Sequence, residues 1–529
     1  MMAFGLSLGH RSNDRCASKA WRIVGGLFYL PNPSFSMTDD NVILSTVRVF
    51  DAVKALAFIG DLSMGQPTGH SQRTAWLATR IAEASSADPI TSDAVRETSL
   101  LRWSGCTANA AGFADVFGDD IAIRVAMIEG RPGWAEPLTA LGGASAVLSP
   151  LAQIHCEVSG EVARLLDLGN ETETALRRIF ETWDGQGLPA RHAREAVPVA
   201  VLIVALAGDL ETSSRIYGIE RTFELITQRA DARYPLRLVQ IALSNAARWL
   251  AELEHVSAAD LDAALTTPRM QQQTAVELIA DVIDLKLPWM TGFSRAVAAT
   301  AAQCCARLTP DKASHARVYR AGLIHGIGRA SVPNQIWNMN ERLSESAWEK
   351  VRLVPYWTSR AGKQAGALGD AAELASYAYE RLDGSGYFRG ARDQSLTLEA
   401  NVLAASVTFV ALRSVRPWRA ALSADEAARQ LHDEATRGRL KVDVVNALLS
   451  DGARLVRPPV SSASQSVRLT ARELDVLRVI SRGASNKEVA RELTLSLSTV
   501  RTHVENVFRK LECSSRAAAT LKASAMGVL

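Results

Sequence analysis

The feature that most constrains the fold is an internal repeat that runs through roughly the first 450 residues. Three short motifs occur twice, in the same order each time. The paired segments are Gly69–Arg73 with Gly292–Arg295, Leu100–Gly105 with Gly322–Gly328, and Glu181–Pro189 with Glu380–Phe388. Such a repeat predicts two tandem copies of one domain that meet near residue 255.

Between these motifs the sequence has helical periodicity. Broad apolar faces recur over Arg73–Ala84, Val197–Leu210 and Leu398–Leu412. Alternating strand and helix patterns are missing, so we predict an all-α fold for both halves.

Composition narrows the setting of the protein. No run of about 18 uncharged apolar residues is present, which argues against a membrane span. The 6 cysteines in 529 residues show no metal-ligand spacing. They are typical of small buried residues in a reducing compartment, and we therefore expect a cytoplasmic protein without a bound cofactor.

Two segments look like extensions or connections. Arg22 and the prolines at 31 and 33 interrupt any apolar signal-peptide core, and a second methionine stands at Met37. We expect residues 1–36 to be disordered or to follow from a start codon placed too early. Pro458, Pro459 and the serine-rich run after them predict a linker over residues 456–466.

The positive charge of the chain is concentrated after this linker. Residues 467–529 contain eleven Lys/Arg and six Asp/Glu, a net charge of 11 − 6 = +5. The whole chain carries +3, so the remainder carries about −2. A basic C-terminal segment is where we expect nucleic acid to bind.

The order of helix signals in this segment predicts a helix-turn-helix. Thr470 and Glu473 have capping-box spacing, and Gly483 is suited to end the first helix. Ser485 is the expected cap of the second helix. After a short turn, Ser498 is the expected cap of a third helix that runs through Lys510, a polar and basic helix of the kind that enters the major groove.

Over Leu469–Leu529 the sequence resembles the LuxR/FixJ-type DNA-binding domain. The matching pieces are LTARELDVL, GASNKEVARELTLSLSTVRTHVENVFRKL and SSRAAAT. The resemblance implies four helices and a homodimer that pairs through the last helix, near Ser515–Ala525, on a two-fold site in double-stranded DNA. The expected DNA-binding residues are Ser485, Asn486, Lys487, Ser498, Thr499, Val500, Arg501, Thr502, His503, Asn506 and Lys510.

The upstream halves resemble the HD-GYP phosphodiesterase family, and more closely an actinobacterial type that joins such domains to a LuxR-like tail. The matching pieces LIHGIGR, SVPNQIW, YERLDGSGYF and RPWRAALS lie in the second half. The expected domains are an HD-like domain over 41–253, an HD-GYP-like domain over 255–455 and the DNA-binding domain over 467–529.

The metal ligands that this resemblance implies are largely replaced. In the second half they fall on Phe293, His325-Gly326, Val354, Ala378-Tyr379 and Val407, so that His325 alone survives. The first half keeps His70, His155 and, one position from the expected place, Asp209. The His-Asp pair there falls on Trp103-Ser104, and the paired histidines fall on Phe180 and Glu181.

From this ligand count we predict no bound metal, no catalytic residue and no enzymatic activity, and we treat the four retained side chains as vestigial. A facial triad of His70, His155 and Asp209 is the alternative for a metal. The preferred function is a DNA-binding transcriptional regulator whose HD-like halves sense an unknown small ligand or dimerise. The alternatives are a phosphohydrolase or cyclic-dinucleotide phosphodiesterase that its tail targets to DNA, and a pure scaffold.

Overall fold

A computed structural model describes residues 45–452, 454–455 and 469–529. The N-terminal extension predicted over 1–36 and the linker predicted over 456–466 lie outside these ranges. The described chain is helical apart from one short antiparallel pair of strands, β1 (Thr46–Arg48) and β2 (Gln273–Ala275), with Thr46 opposite Ala275. The predicted all-α fold class is confirmed.

The first half contains helices α1 to α12. Their bounds are α1 Val49–Ser63, α2 His70–Ala84, α3 Pro89–Leu101, α4 Ala110–Phe117, α5 Asp120–Glu129, α6 Glu136–Thr139, α7 Ala144–Leu165, α8 Asn170–Arg177, α9 Val199–Tyr217, α10 Ile219–Gln228, α11 Leu236–His255 and α12 Ala258–Leu265.

The second half and the tail contain helices α13 to α26. Those of the second half are α13 Glu277–Asp284, α14 Phe293–Leu308, α15 Lys312–Ile324, α16 Asn334–Trp337, α17 Glu345–Arg352, α18 Val354–Gln364, α19 Gly369–Ala375, α20 Leu398–Arg413, α21 Ala424–Thr436 and α22 Val442–Leu449. Those of the tail are α23 Ala471–Ser481, α24 Asn486–Glu492, α25 Leu497–Leu511 and α26 Arg516–Ala525.

Three apolar cores organise these helices. One core is formed by α2, α3 and α9 to α11 of the first half. A second core contains most of the second half together with α1, every residue of which is buried. The third core belongs to the tail. The two halves are therefore packed together through α1 and the β1–β2 pair, and the domain boundary near residue 255 stays a prediction.

The tail forms the predicted helix-turn-helix, with one correction at a helix cap. Thr470 with Glu473 forms a capping box at the start of α23, which confirms the predicted first helix. Ser485 caps α24 in the same way, with Glu488 as its partner. The third helix, α25, is capped by Ser496 rather than by Ser498, because the Ser496 hydroxyl accepts the bond from the Thr499 amide at 3.1 Å.

None of the described helices is both long and apolar enough to cross a membrane. The cytoplasmic location remains a prediction.

Candidate functional site: a basic helix and a buried arginine cavity

The predicted DNA-binding residues lie on α25 and at the start of α24, which Ser485 caps. Ser485, Lys487, Ser498, Arg501 and Thr502 are exposed. The half-buried members of the predicted set are Asn486, Thr499, His503, Asn506 and Lys510. Exposed Arg and Thr side chains on the outer face of such a helix can reach base edges and phosphates.

Three members of the predicted DNA-binding set are held against other helices of the tail. Val500 is buried in the core of the tail, so we leave its side chain out of the DNA surface. Lys510 Nζ donates to Glu473 Oε2 at 2.7 Å, and Asn486 Oδ1 accepts from Arg516 at 2.8 Å. The last two contacts fix neighbouring helices to each other and compete with a role at DNA.

In the first half, a cavity of about 410 Å³ lies between α2, α7 and α9. Its lining brings together the three retained first-half side chains, His70, His155 and Asp209, and places the guanidinium groups of Arg102, Arg229 and Arg233 beside them. The rings of Trp103 and Phe180 form an aromatic wall of this cavity, and their centroids are 6.2 Å apart. A volume of this size is typical of a small-molecule site.

His70 is held as a neutral imidazole between a carboxylate and a guanidinium. Its Nδ1 donates to Glu211 Oε2 at 2.6 Å, and its Nε2 accepts from the guanidinium of Arg102. Burial and the neighbouring Arg102 cation lower the pKa of His70 to about 4. Burial opposes ionisation of Glu211, but the bond from His70 and the nearby Arg215 outweigh it and lower the pKa of that carboxyl to about 2.

Arg102 is the residue of this cavity that sequence reasoning missed. Only 4% of it is exposed, and it bonds His70 and, at 3.0 Å, Thr74. Within the described part of the chain it pairs with no carboxylate, and its Nε has no hydrogen-bond partner. Burial lowers the pKa of Arg102 to about 10, so the group remains a cation at neutral pH. Gly208 leaves the space for it, since a Cβ there would lie 2.2 Å from the guanidinium.

A signal for Arg102 was present in the repeat. The paired motifs place Arg102 opposite Ile324, an apolar residue buried at the end of α15. A charged residue at a repeat position that is apolar in the other copy indicates a special environment.

The other two retained residues of the first half have different partners. His155 Nε2 donates to the carbonyl oxygen of Arg102 at 2.8 Å, and burial lowers the pKa of His155 to about 3. Asp209 accepts from Arg229 at 2.7 Å and lies 3.2 Å from Arg233. The three side chains line one cavity, but each is engaged by protein groups.

The second half has a related arrangement around His325. Its Nδ1 donates to the Gly322 carbonyl oxygen, and its Nε2 accepts from Arg329 at 2.6 Å. Burial lowers the pKa of His325 well below its usual value. Arg329 also pairs with Asp284 at 3.2 Å, and Phe293 and Tyr379 pack their rings against the imidazole.

These contacts do not fit the divalent metal that an HD-type site implies. The Nε2 atoms of His70 and His325 each face a guanidinium, and a metal cannot share that lone pair. Over the described ranges no group of three or more His, Cys, Asp or Glu side chains is arranged to hold a metal ion. We therefore derive no chemical step through a metal.

The structure also corrects one alignment made from sequence. Glu181 accepts hydrogen bonds from the amides of Ala190 and His192, both at 2.9 Å. Glu380 does the same for the amides of Arg389 and Ala391. Glu181 is therefore the counterpart of Glu380, and the paired-histidine positions of the first half fall on Ile179 and Phe180 rather than on Phe180 and Glu181.

Comparisons with known families agree with this architecture. Residues 277–443 match a family described as "HD domain", and residues 467–523 match the family "Bacterial regulatory proteins, luxR family". The chain carries an HD domain followed by a luxR-type DNA-binding domain. The predicted recognition of these two families is confirmed, whereas the actinobacterial type stays a prediction.

Individual relatives extend the comparison beyond the matched HD segment. The 3'3'-cGAMP-specific phosphodiesterase 3 of Vibrio cholerae is 25% identical over 419 residues, which is 73% of this chain and 91% of that protein. The response regulator NarP of Escherichia coli is 51% identical over 53 residues, 10% of this chain and 25% of NarP. A crystal structure of the V. cholerae phosphodiesterase V-cGAP3 has a TM-score of 0.56 at 22% identity, covers 77% of this chain and 97% of its own, and supports the fold alone.

These relatives contradict our expectation that the protein is not an enzyme. A second V. cholerae protein, 3'3'-cGAMP-specific phosphodiesterase 1, is 27% identical over 222 residues, 40% of this chain and 51% of that protein. Relatives of the HD region are thus named as phosphodiesterases. The count of familiar ligand positions was not a sufficient ground for excluding activity.

Proposed function

We propose that this protein is a cytoplasmic DNA-binding transcriptional regulator whose HD region binds a cyclic dinucleotide in the first-half cavity. The observation that carries the ligand site is the buried guanidinium of Arg102, which has no carboxylate partner in the described chain and lines a cavity of about 410 Å³. The carboxylates of Asp61, Glu211 and Asp209 act on this cation only from beyond ion-pair distance, and an anionic ligand in the cavity would supply a direct partner.

The chemistry of the cavity favours a nucleotide over a simple anion. Phosphate groups suit the guanidinium of Arg102, because arginine donates in a fork that matches their oxygens. Arg229 and Arg233 share the single carboxylate of Asp209, so this trio adds a net positive charge to the cavity wall. The aromatic walls at Trp103 and Phe180 suit a base. The relatives named as 3'3'-cGAMP phosphodiesterases support the choice of a cyclic dinucleotide.

The tail supports the second part of the proposal. Arg501 and Thr502 are exposed on the helix that would enter the major groove, and the surrounding domain is basic. We propose that two copies bind a two-fold operator, with half-sites about one helical turn apart.

The DNA-binding part is tested by selecting fragments from genomic DNA with the full-length protein and measuring affinity by gel shift. Replacing Arg501 with alanine should weaken binding to the selected fragment by about 1–3 kcal/mol. Arg478→Ala removes the same charge from an exposed position on α23 and serves as the control. Equal affinities for the two variants would remove Arg501 from the DNA surface.

The ligand part is tested by isothermal titration calorimetry of the full-length protein with 3'3'-cGAMP, with inorganic phosphate as the comparison. Saturable binding of the dinucleotide, with phosphate weaker, is the expected result. If neither 3'3'-cGAMP nor inorganic phosphate gives a saturable binding heat, the ligand proposal is wrong.

Hydrolysis of the same nucleotide is the second candidate, and the names of the relatives are the observation that favours it. Chromatography of the titrated samples, with and without added manganese, measures the linear product. Elemental mass spectrometry of protein purified without chelators measures whether a metal is bound at all.

A further inference from the structure

The last helix of the tail, α26, has two buried faces that belong to different cores. Ala519 and Ala523 pack into the core of the DNA-binding domain. Ala518 and Leu521, both fully buried, belong instead to the large core of the HD region, because α26 packs against α7 and α13. The DNA-binding domain is thus docked on the HD region through one apolar face of α26 and through the end of α23, where the Ser481 carbonyl oxygen accepts from the Thr291 hydroxyl at 2.7 Å.

Polar contacts surround this apolar interface. The Glu157 carboxylate of α7 accepts hydrogen bonds from the amide and, at 3.1 Å, the hydroxyl of Ser514. Gln153 donates to the same hydroxyl at 3.1 Å, and the buried Glu161 lies 3.4 Å from Lys522 Nζ. All three side chains of the HD region in these contacts come from α7.

The opposite side of α7 lines the arginine cavity. Leu148, Ala152 and His155 face it, and His155 bonds the carbonyl oxygen of Arg102. The segment that carries Arg102 also packs closely against the backbone of α7, because a Cβ at Gly105 would lie 2.3 Å from the His155 carbonyl oxygen. A shift of the segment that carries Arg102 must therefore move α7 as well.

We propose that α7 couples the cavity to the DNA-binding domain, so that a phosphorylated ligand on Arg102 releases α26 from the HD region. This proposal rests on the ligand site proposed above. A bound phosphate draws the Arg102 guanidinium away from His70, and the displaced segment carries α7 out of register with α26. Release exposes Ala518 and Leu521, an apolar face that a second copy of the domain covers on two-fold DNA. The docked arrangement is then the low-affinity state.

A reversible lock tests the docked state directly. Gln153→Cys and Ser514→Cys are introduced together in full-length protein that also carries Cys513→Ser, which removes the neighbouring thiol. Because a cysteine side chain is two atoms shorter than glutamine, the two thiols are bridged with a short reducible bis-methanethiosulfonate reagent rather than by a direct disulfide. The expected result is a cross-link within one chain, at least about tenfold weaker binding to the selected DNA fragment, and recovery on reduction. Failure of the cross-link to form would overturn the docking, and equal DNA affinity of the cross-linked and reduced protein would overturn the low-affinity state. Gln153→Cys alone, treated identically, is the control.

A releasing variant tests the coupling from the other side. Leu521→Glu places a charge in the interface with the HD region and leaves the residues of the tail core unchanged. Without nucleotide, it should bind the DNA fragment as tightly as the nucleotide-bound wild type, and 3'3'-cGAMP should add less than about twofold. Glu157→Ala removes only the contacts with Ser514 at the edge of the interface. Without nucleotide, its DNA affinity should lie between those of wild type and Leu521→Glu. Glu171→Ala, at an exposed position, is its control. An unchanged nucleotide response in Leu521→Glu would overturn the coupling.

The two proposals fail in different ways. If calorimetry shows that the wild type does not bind 3'3'-cGAMP, the proposed ligand is wrong, while the lock still decides whether docking controls DNA affinity. If the wild type binds both nucleotide and DNA but neither lock nor release changes DNA affinity, the coupling is wrong and the ligand site stands.

Discussion

Each half of the HD region keeps a histidine at only one of two expected ligand positions, and the two halves keep it at different ones. The first half has His70 where the second has Phe293, and the second has His325 where the first has Trp103. In each half a guanidinium donates to the surviving histidine and lies over the aromatic replacement, with Arg102 4.8 Å from the Trp103 ring and Arg329 5.2 Å from the Phe293 ring. In both halves a histidine, an arginine and an aromatic ring thus occupy this space, but they come from different positions in the repeat.

The halves differ in what balances that cation. Asp284 pairs with Arg329 in the second half. Its counterpart Asp61 is bound by the hydroxyl and amide of Ser71 and forms no ion pair with Arg102. A guanidinium in a direct ion pair, as Arg329 is with Asp284, stabilises the fold. Carboxylates act on Arg102 only from beyond ion-pair distance, so its guanidinium is suited to bond an anion in the cavity. The comparison therefore agrees with a structural role for Arg329 and with the ligand-binding role proposed for Arg102.

The largest expected effect is on stability, in the second half. Arg329→Met leaves Asp284 buried without its partner, and we expect a cost of about 3–5 kcal/mol in the free energy of unfolding at neutral pH. Arg102→Met breaks no direct ion pair, but it leaves the buried Nε2 of His70 without its donor, so the expected cost is smaller, about 1–3 kcal/mol. Urea unfolding of the full-length variants measures both. Equal costs would show that the two guanidinium groups are balanced alike.

The same two variants should give the reverse order in nucleotide binding. Loss of the Arg102 guanidinium should weaken 3'3'-cGAMP binding by roughly 2–3 kcal/mol, a 30- to 150-fold rise in Kd. Arg329→Met should stay within about twofold of wild type, because Arg329 does not line the cavity. Calorimetry on folded samples decides the point, and a larger loss in Arg329→Met would move the ligand to the second half.

Sequence patterns predicted the helices better than the contacts between them. Thr470 and Ser485 were recognisable because a cap and its Glu partner are three residues apart. Ser496 and Ser498 are both cap-type residues at the start of the same helix, and only the backbone geometry selects Ser496. Local spacing carries the first kind of information and not the second.

The site itself depends on contacts that are far apart in the chain. Arg102 contacts His70, which is 32 positions away in the sequence, and the contacts between the tail and α7 join residues more than 350 positions apart. Periodicity places Ala518 and Leu521 on an apolar helix face but does not say which core covers that face. Helix α1 shows the same limit, because its apolar sequence is consistent with either half and the structure places it in the core of the second.

The titration of the two buried aspartates should sharpen the comparison. Burial raises the pKa of Asp61 to about 7 and that of Asp284 to about 6, from 3.8. The hydrogen bonds from Ser71 oppose this rise at Asp61, and the charge of Arg329 opposes it at Asp284. A carboxyl with a raised folded-state pKa stabilises the fold fully only below its ordinary pKa, and this contribution is lost as the pH rises through the folded value.

Asparagine at either position removes this loss. Relative to wild type, the stability of Asp61→Asn should therefore rise between about pH 4 and pH 7, by at most about 1.4 kcal/mol per pH unit, and then level off. For Asp284→Asn we expect a rise in the same direction, because burial raises the pKa of that carboxyl as well. Thermal unfolding from pH 4 to pH 8.5 measures both profiles, and profiles that do not change with pH would contradict the raised pKa values.

The smallest effect is expected where the halves are alike. Glu181 and Glu380 each accept two backbone amides of the loop that follows them. Glutamine keeps one acceptor oxygen and turns the other into a donor that faces an amide, so Glu181→Gln and Glu380→Gln should each cost about 1–2 kcal/mol in unfolding free energy. Because the bonding is the same, the two costs should agree within about 0.5 kcal/mol, which is the deviation from additivity usual for distant, independent sites. Urea unfolding of the full-length variants provides the measurement. A clearly larger cost at Glu181 would mean that its loop, whose residues Gln186 to Leu188 line the cavity, depends on the site in a way that its counterpart in the second half does not.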